Sequence, residues 1–441
     1  MKTYKIYTLG CKVNQYDSGS LATSLKTAGF TMVNKNAGIA IINSCAVTKT
    51  AIIKSGRMVK LAKKENPKAK IILTGCWPKA YKTKDADVDY VMNRDKIYSL
   101  VKKITNCKLL VANKIKEVKQ ENRSRYFIKI QDGCEQYCSY CIVPYTRGKL
   151  KSRGEKEIIC EIKRAVKTGY EEIVLSGIHL GLYGKERQLS LRATKRSEAI
   201  SRTNFKVNSK LDCHVADAPR NDNLVSLLKK IIKINDLGRV RLSSIEVTEV
   251  SDDLIKLIAN SKKICQHLYI PLQSGSDKIL KLMNRPYSKK YFLDKVKKIR
   301  RAMPDVAITT DVIVGFPGET EKDFIETKKF IREIKFSRLH IFPFSAHAKL
   351  PAAKFPNQVE EKIKAKRAKI LREFGVKLMR DYKRKFKGKK LEIVIEQIKQ
   401  DKLIGKTEYY FDIEVDKRQI FGSKIDGNNK LIGKIVKVKN N

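Results

Sequence analysis

The stretch from Tyr126 to Arg153, YFIKIQDGCEQYCSYCIVPYTRGKLKSR, decides how the chain is read. Phe127, Ile128 and Ile130 give Tyr126–Ile130 the pattern of a short strand, which runs out at Asp132 and Gly133. Cys134, Cys138 and Cys141 follow at once, spaced C-x₃-C-x₂-C. Three thiolates on so short a loop can converge on one face of a metal cluster, and thiolate is the ligand that iron–sulfur clusters use. A four-iron cube held by three cysteines leaves one iron open, and an open iron can chelate the amino and carboxylate groups of S-adenosylmethionine. The radical chemistry of such a pair belongs to the cofactors, and the protein's share is to position them. The competing reading is structural zinc, which takes four N or S ligands. No histidine or fourth cysteine stands nearby in the sequence, and Tyr137 and Tyr140 between the thiols suit a stacking or shielding wall.

The totals point to a polyanionic partner. The 441 residues carry 94 Lys and Arg against 46 Asp and Glu, a net charge of +48. That surplus repels itself unless nucleic acid or another polyanion offsets it. A chain this long divides into two to four domains. The opening MKTYKIYTLGC has no apolar signal core, and no apolar run reaches membrane-spanning length. The expectation is therefore a cytoplasmic protein without membrane contact, whose ten cysteines are reduced thiols.

Three times in the first hundred residues a short buried-type strand ends in a small residue and a cysteine. Lys5–Leu9 leads into Gly10-Cys11, Gly38–Asn43 into Ser44-Cys45, and Lys70–Thr74 into Gly75-Cys76, with helical stretches at Ser18–Ala28 and Lys49–Glu65 between. Strands alternating with helices form a parallel sheet, whose crevice lies beyond the carboxyl ends of its strands. All three cysteines then reach one edge. A lone free thiol is by default a small buried residue, but three at equivalent strand ends read as a second cluster site with an open iron. Cys107, Cys160, Cys213 and Cys265 lack that context and are taken as structural or incidental.

Past a charged linker at Lys114–Arg125, six strand patterns follow: Tyr126–Ile130, Glu172–Leu175, Arg239–Leu242, His267–Leu272, Val306–Val314 and Arg338–Phe344. Helical stretches such as Glu155–Lys167 and Thr320–Glu333 separate them, so the expectation is an incomplete (βα)6 barrel. The segment Lys185–Asp222 loses all apolar periodicity and reads as a disordered insertion. Beyond it, a helix at Val359–Lys385 rich in Lys and Arg precedes alternating strands over Leu391–Asn441, the pattern of a small β-barrel. Such barrels often bind oligonucleotides, which makes Tyr409, Tyr410 and Phe411 candidates for base stacking, with core packing the commoner role for at least one. The chain thus divides into residues 1–113, 120–350 and 380–441.

Apart from the insertion, these motifs resemble the radical S-adenosylmethionine methylthiotransferases, in which a cluster-bearing N-terminal domain precedes a radical core and an RNA-binding TRAM domain. The resemblance implies that Cys11, Cys45 and Cys76 hold an auxiliary [4Fe–4S] cluster and that Cys134, Cys138 and Cys141 hold the radical-generating one. It implies further that Tyr140, Ser176, Gly177, Gln273 and the turn Gly315, Phe316, Pro317, Gly318 line the S-adenosylmethionine site. The segment Thr8–Ser18, TLGCKVNQYDS, is most similar to the branch acting on threonylcarbamoyladenosine in tRNA. Sister branches act on isopentenyladenosine in tRNA or on a ribosomal-protein aspartate. The expected reaction is radical methylthiolation of C2 of the modified adenine, with tRNA and S-adenosylmethionine as partners, an electron donor, a sulfur source and a monomeric chain. The alternative of a different class is a zinc-stapled RNA-binding protein without activity. Ser345–Leu350 replaces a stretch that usually carries Pro, Arg and Gly, a departure expected to alter loop contacts near the substrate. A threonylcarbamoyl group brings a carboxylate, and Lys12 beside Cys11 is a candidate partner for it.

Overall fold

Runs of β-branched residues set the first sheet. Ile39–Ser44 is buried along its whole length, and Ile71–Gly75 likewise, so both strands need cover on two faces. In the computed structural model, which describes residues 2–81, 87–93, 96, 97, 99–101, 123–185, 223–421 and 431–440, they lie at the centre of a five-stranded parallel sheet. Its strands are β1 (Thr3–Thr8), β2 (Thr31–Met32), β3 (Ile39–Ser44), β4 (Lys70–Gly75) and β5 (Tyr90–Val91), in the order β2-β1-β3-β4-β5. The helices Lys12–Thr27 and Lys49–Glu65 cover it. The first begins at once after Cys11, six residues before the periodicity suggests it.

The core is built on β6 (Tyr126–Lys129), with a small antiparallel pair β7 (Gln131–Asp132) and β8 (Lys151–Ser152) at the base of the three-cysteine loop. Then come β9 (Glu172–Ser176), β10 (Arg239–Leu242), β11 (His267–Tyr269), β12 (Ala307–Val314) and β13 (Arg338–Pro343). They form two parallel three-stranded sheets, β10-β9-β6 and β11-β12-β13. Single bridges, Val240 to Ile264 and Ser244 to Tyr269, join them into one open barrel. Ile128, Ile173, Leu175, Val240, Leu268, Ile308 and Val312 face outward under the helices in one apolar core. The pleat turns their neighbours Lys129, Glu172, Arg239, Arg241, His267, Tyr269, Asp311 and His340 into the lumen.

The amino ends of these strands form a charged floor. Glu172 is fully buried and takes Arg239 Nε at 2.6 Å and Arg241 Nε at 2.8 Å, with Arg125 Nη1 at 3.5 Å. The two inner guanidinium groups spend their remaining protons on main-chain carbonyls of the C-terminal part. Arg239 donates to Glu392 O and Lys406 O, and Arg241 to Thr407 O and Glu408 O, at 2.8–3.1 Å. That C-terminal part is a four-stranded antiparallel sheet of β14 (Lys390–Lys399), β15 (Lys402–Thr407), β16 (Asp412–Asp416) and β17 (Ile435–Lys439), ordered β16-β15-β14-β17. A bulge between Ile395 and Gln397 curls it. The Lys185–Asp222 insertion after Lys185, Lys114–Asn122 of the linker, Cys107 and Cys213 lie outside the described residues.

The basic helix Glu361–Arg384 is not simply a solvated charge run. Arg367 is buried and donates to Glu319 Oε1 at 2.7 Å and Glu319 O at 3.1 Å. The Lys364 side chain fills the space beside Gly315, where an added Cβ would stand 2.3 Å from its Cγ. The helix therefore braces the turn after β12. Burial opposes the charge on Glu172, but Arg241, Arg239 and Arg125 together hold its carboxyl well below the ordinary range. Its stabilisation is complete at neutral pH and lost only in acid. Glu172→Gln strands buried guanidinium groups and should cost about 3–5 kcal/mol, read by urea unfolding at pH 7, with earlier proteolytic release of the C-terminal sheet.

Candidate cluster and substrate site

Parallel strands of similar length deliver Cys11, Cys45 and Cys76 to one edge, each just past a strand end. Two glycines make the approach possible. Gly10 has φ +100°, and a Cβ there would stand 3.0 Å from Cys45 Cβ and 3.1 Å from its Sγ. Gly75 has φ +97°, and a Cβ there would meet Ser44 O at 2.3 Å. The loops are tied together by Asn14, whose Nδ2 donates to Leu9 O at 2.7 Å and Ser44 O at 3.0 Å. Cys76 N donates to Ser44 O at 3.0 Å, and Ser55 Oγ accepts from Cys45 N at 3.2 Å. Burial, with charge on Cys76 and Cys11 added, pushes the Cys45 thiol up to about 11.

The second trio sits on a loop closed by Gly133, where a Cβ would come within 1.9 Å of Lys149 O. Cys134 N donates to Gly148 O at 3.1 Å and Cys141 N to Cys138 O at 3.0 Å. Ser139 binds the carbonyls of Leu282 and Met283, and Asn284 Nδ2 holds Tyr137 O at 3.0 Å, so the loop is fixed from the turn before Arg285. Two nitrogen-bearing side chains meet its sulfurs. His179 Nδ1 lies 3.5 Å from Cys134 Sγ, while its Nε2 pairs with Glu249 Oε1 at 2.5 Å. Arg285 Nη1 lies 3.4 Å from Cys138 Sγ and pairs with Glu246 through Nη2. Burial and the neighbouring thiols push Cys138 and Cys141 up, with Arg285 opposing.

One buried cation connects the trios. Arg147, from the short helix Val143–Arg147, pairs with Asp132 at 3.0 Å and with Asp17 at 3.3 Å, and also donates to Asn14 Oδ1. Burial works against its charge, but Asp132, Asp17, Cys76 and Cys11 hold it firmly protonated. A second tie is Ser345–Leu350. Ser345 Oγ accepts from Lys49 N at 2.9 Å, His347 Nε2 meets Val47 O at 3.0 Å and Nδ1 meets the Tyr81 hydroxyl, and Lys349 Nζ donates to Ala80 O at 2.7 Å. Leu350 packs with Cys76, Ala46, Ala80 and Ile142. The described contacts of this segment clamp the N-terminal sheet to the core.

Both donor sets suit iron–sulfur ligation. All described cysteines are free thiols, and cations or hydrogen-bond donors face the trios. Buried thiols that raise one another's pKa need bound cations to become thiolates. Among the described residues no three Cys, His, Asp or Glu groups draw together around a single ion. Cys265 is buried beside the Glu172 layer and Cys160 is exposed, both away from either trio.

Of the residues expected around S-adenosylmethionine, Tyr140 and Phe316 meet edge-on at 6.4 Å in one apolar cluster with Phe344. Gln273 has φ +65° and its N donates to Asp311 O at 2.9 Å. Ser176 closes β9, and a Cβ at Gly177 would stand 3.0 Å from Gln131 Oε1. Gly315 (φ +70°) and Gly318 (φ +81°) frame Phe316 and Pro317 at the end of β12, where Gly315 N donates to Glu319 Oε1 at 3.0 Å. All stand at the carboxyl edge that carries the three-cysteine loop.

Residues 3–93 match the Uncharacterized protein family UPF0004 and residues 128–331 match the Radical SAM superfamily. Threonylcarbamoyladenosine tRNA methylthiotransferase MtaB of Bacillus subtilis is 34% identical, over 100% of this chain and 94% of its own length. The chain belongs to the radical S-adenosylmethionine methylthiotransferases. The protein of the same name from Thermotoga maritima is 36% identical over 93% of this chain and 90% of its own. The tRNA-2-methylthio-N(6)-dimethylallyladenosine synthase of Carboxydothermus hydrogenoformans is 33% identical over 99% and 96%. Among solved structures, the radical S-adenosylmethionine methyltransferase TsrM of Kitasatospora setae shares the fold at TM-score 0.53 and 11% identity, covering 80% of this chain and 77% of that one. Membership of an enzyme family replaces the reading as a zinc-stapled module without activity.

The C-terminal aromatics divide between core packing, as expected for at least one of them, and the barrel floor. Phe411 is buried in the C-terminal core, and Tyr409 packs on Phe386 at 4.5 Å. Only Tyr410, held at φ +68°, leaves that core, and its ring stacks on His267 at the barrel floor, 4.2 Å away and 13° from parallel. Lys12 approaches the same ring; burial, with Arg125 and Arg241 close by, pulls its amine down to about 8. Composition and spacing gave no signal for Arg147, Arg285, Glu246 or Glu249, because their roles depend on loops meeting across the barrel. His179 stood in the glycine-rich turn after β9, where sites are found.

Two outcomes follow from this geometry. Leu350→Ala should cost about 2–5 kcal/mol and loosen the N-terminal sheet, seen as a lower denaturation midpoint and faster proteolysis between the domains. Burial raises Asp311 to about 6, against the hydrogen bond from Tyr269. The folded protein then keeps a proton that the unfolded chain loses near pH 4, so the ionised Asp311 opposes folding above pH 6. Asp311→Asn should be more stable than the parent at about pH 7.5, with the difference shrinking as the pH falls toward 4.

Proposed function

We propose that this chain is a tRNA-modifying enzyme that converts N6-threonylcarbamoyladenosine beside the anticodon into its 2-methylthio derivative, with two [4Fe–4S] clusters and S-adenosylmethionine as cofactors. The observation that carries the chemistry is the pair of cysteine trios held in one frame by Arg147 and the Ser345–Leu350 clamp. The substrate follows the names of full-length relatives at 34% and 36% identity, and the net charge of +48 supports an RNA partner.

In this reading Cys11, Cys45 and Cys76 hold the auxiliary cluster, and Cys134, Cys138 and Cys141 the radical-generating one. Loaded, these cofactors supply hydrogen abstraction at an unactivated aromatic carbon and the sulfur and methyl groups, work beyond the reach of general bases. The chain supplies position and field. Tyr140, Ser176, Gly177, Gln273, Gly315, Phe316, Pro317 and Gly318 line the S-adenosylmethionine site, with the Tyr140–Phe316 pair as its apolar wall and the turn as a source of main-chain hydrogen bonds. His179 and Arg285 place positive charge on Cys134 and Cys138, which favours their thiolates. The curled C-terminal sheet serves as the TRAM-type RNA-binding part, in the division 1–113, 120–350 and 380–441. No helix among the described residues is long and apolar enough to cross a membrane. The chain works as a cytoplasmic monomer supplied by an electron donor and a sulfur source.

Anaerobically reconstituted protein should carry about eight irons, and the triple change of Cys134, Cys138 and Cys141 to Ala about half as many. Mass spectrometry of tRNA nucleosides from a deletion strain should show loss of methylthio-threonylcarbamoyladenosine. Loss of the methylthio-isopentenyl form instead would overturn the substrate.

A further inference from the structure

Among the described residues, the barrel floor holds a cation, Lys12, that forms no ion pair. Lys12 directly follows Cys11, and its side chain leads from the N-terminal sheet toward the lumen, with Nζ 5.9 Å from the centre of the Tyr410 ring. Arg241 and Lys406 stand over the same ring at 5.3 and 5.1 Å. Those two are paired: Arg241 with Glu172 at 2.8 Å, and Lys406 with Asp412. Among the described residues Lys12 pairs with no carboxylate. A second group there is also incomplete. His267 is 1% exposed and stacks on Tyr410; its Nε2 meets Thr309 Oγ1 at 2.9 Å, but its Nδ1 has no hydrogen-bond partner among the described residues. A positive, partly enclosed floor with an unused cation and an unused imidazole nitrogen matches what a desolvated anion requires.

We propose that Lys12 is the counter-ion for a carboxylate on the N6 substituent of the substrate adenosine, with Tyr410 and His267 forming the wall beside it. The inference rests on the substrate reading above and names the residue that senses the substituent's charge. C2 and N6 are carried by the same six-membered ring of adenine, and Cys11 and Lys12 are adjacent residues. A base turned with C2 toward the cysteine edge can thus place its substituent near Lys12. An isopentenyl group there would leave the ammonium unpaired and displace its water, so the same lysine selects against an apolar substituent.

The test uses the reconstituted full-length protein and anticodon stem–loop RNA carrying either threonylcarbamoyladenosine or its methyl ester. Both kcat/KM for methylthiolation and Kd at fixed salt are read. The parent should favour the acid over the ester by about ten- to a hundredfold. Lys12→Met should lose that factor on the acid and treat both RNAs alike, while Lys12→Arg keeps most of the preference. Equal losses on acid and ester in Lys12→Met, at parental iron content, would show a structural role and overturn the proposal. A parent protein that binds and turns over acid and ester equally would overturn it without any variant, even if Lys12→Met fails to load iron. A parent that acts only on isopentenyladenosine would instead overturn the substrate reading itself.

Discussion

Glu172 is one carboxylate serving three guanidinium groups, and the arrangement of the whole chain depends on it. Arg239 and Arg241 reach it from β10, Arg125 from the segment before β6, and the surplus donors of the first two end on carbonyls of β14, β15 and the turn after β15. Burying so many charges costs several kcal/mol of desolvation per ion unless every donor is met. Here main-chain carbonyls of the C-terminal sheet meet the donors of Arg239 and Arg241 that Glu172 leaves over. The C-terminal sheet is consequently part of the barrel floor and not a tethered appendage. Because the layer contains more cations than anions, it also leaves the floor positive.

The carboxyl edge uses the opposite sign. Six thiols, five of them buried or half-buried, gather there in two trios, and the protein answers with Arg147, Arg285 and His179, each braced by a carboxylate. Arg147, together with Lys129, ties the loops that carry the two trios, since Asp17 lies on the first helix and Asp132 at the base of the three-cysteine loop. Removing its charge would leave Lys129–Asp17 and the Tyr16 contacts with Arg153 and Glu161 to hold the first helix on the core.

Much of this was legible in the sequence because it follows from strand direction. Cysteines after successive parallel strands must share an edge, and the glycines before Cys11, Cys76 and Cys134 mark backbone that a side chain would obstruct. The six core strands fall where their apolar patterns put them. The two-residue strands Thr31–Met32 and Tyr90–Val91 escaped, since periodicity needs more than one repeat to register. The clamp at Ser345–Leu350 escaped for a different reason: its partners Val47, Lys49, Ala80 and Tyr81 are some three hundred residues away, and polar loop residues carry no sign of what they bind. Tyr410 was legible only as one of three aromatics. Its left-handed φ and its turn toward His267 separate it from Tyr409 and Phe411, and neither is written in composition.

The two ends of the lumen therefore divide the work. Chemistry that must be the same for any 2-methylthioadenosine belongs to the carboxyl edge, where ligands and their counter-charges are rigidly tied. Discrimination between substituents belongs to the floor, where polar side chains line the wall. Lys12 is the point at which these tasks touch, because one peptide bond separates it from Cys11 while its amine stands among floor residues. An adenosine with a mismatched substituent would be held off the floor, and the shared backbone of Cys11 and Lys12 would convert that misfit into a misplaced C2. Selection and positioning then become one event, as expected when binding energy made away from the reacting atom is used to align it.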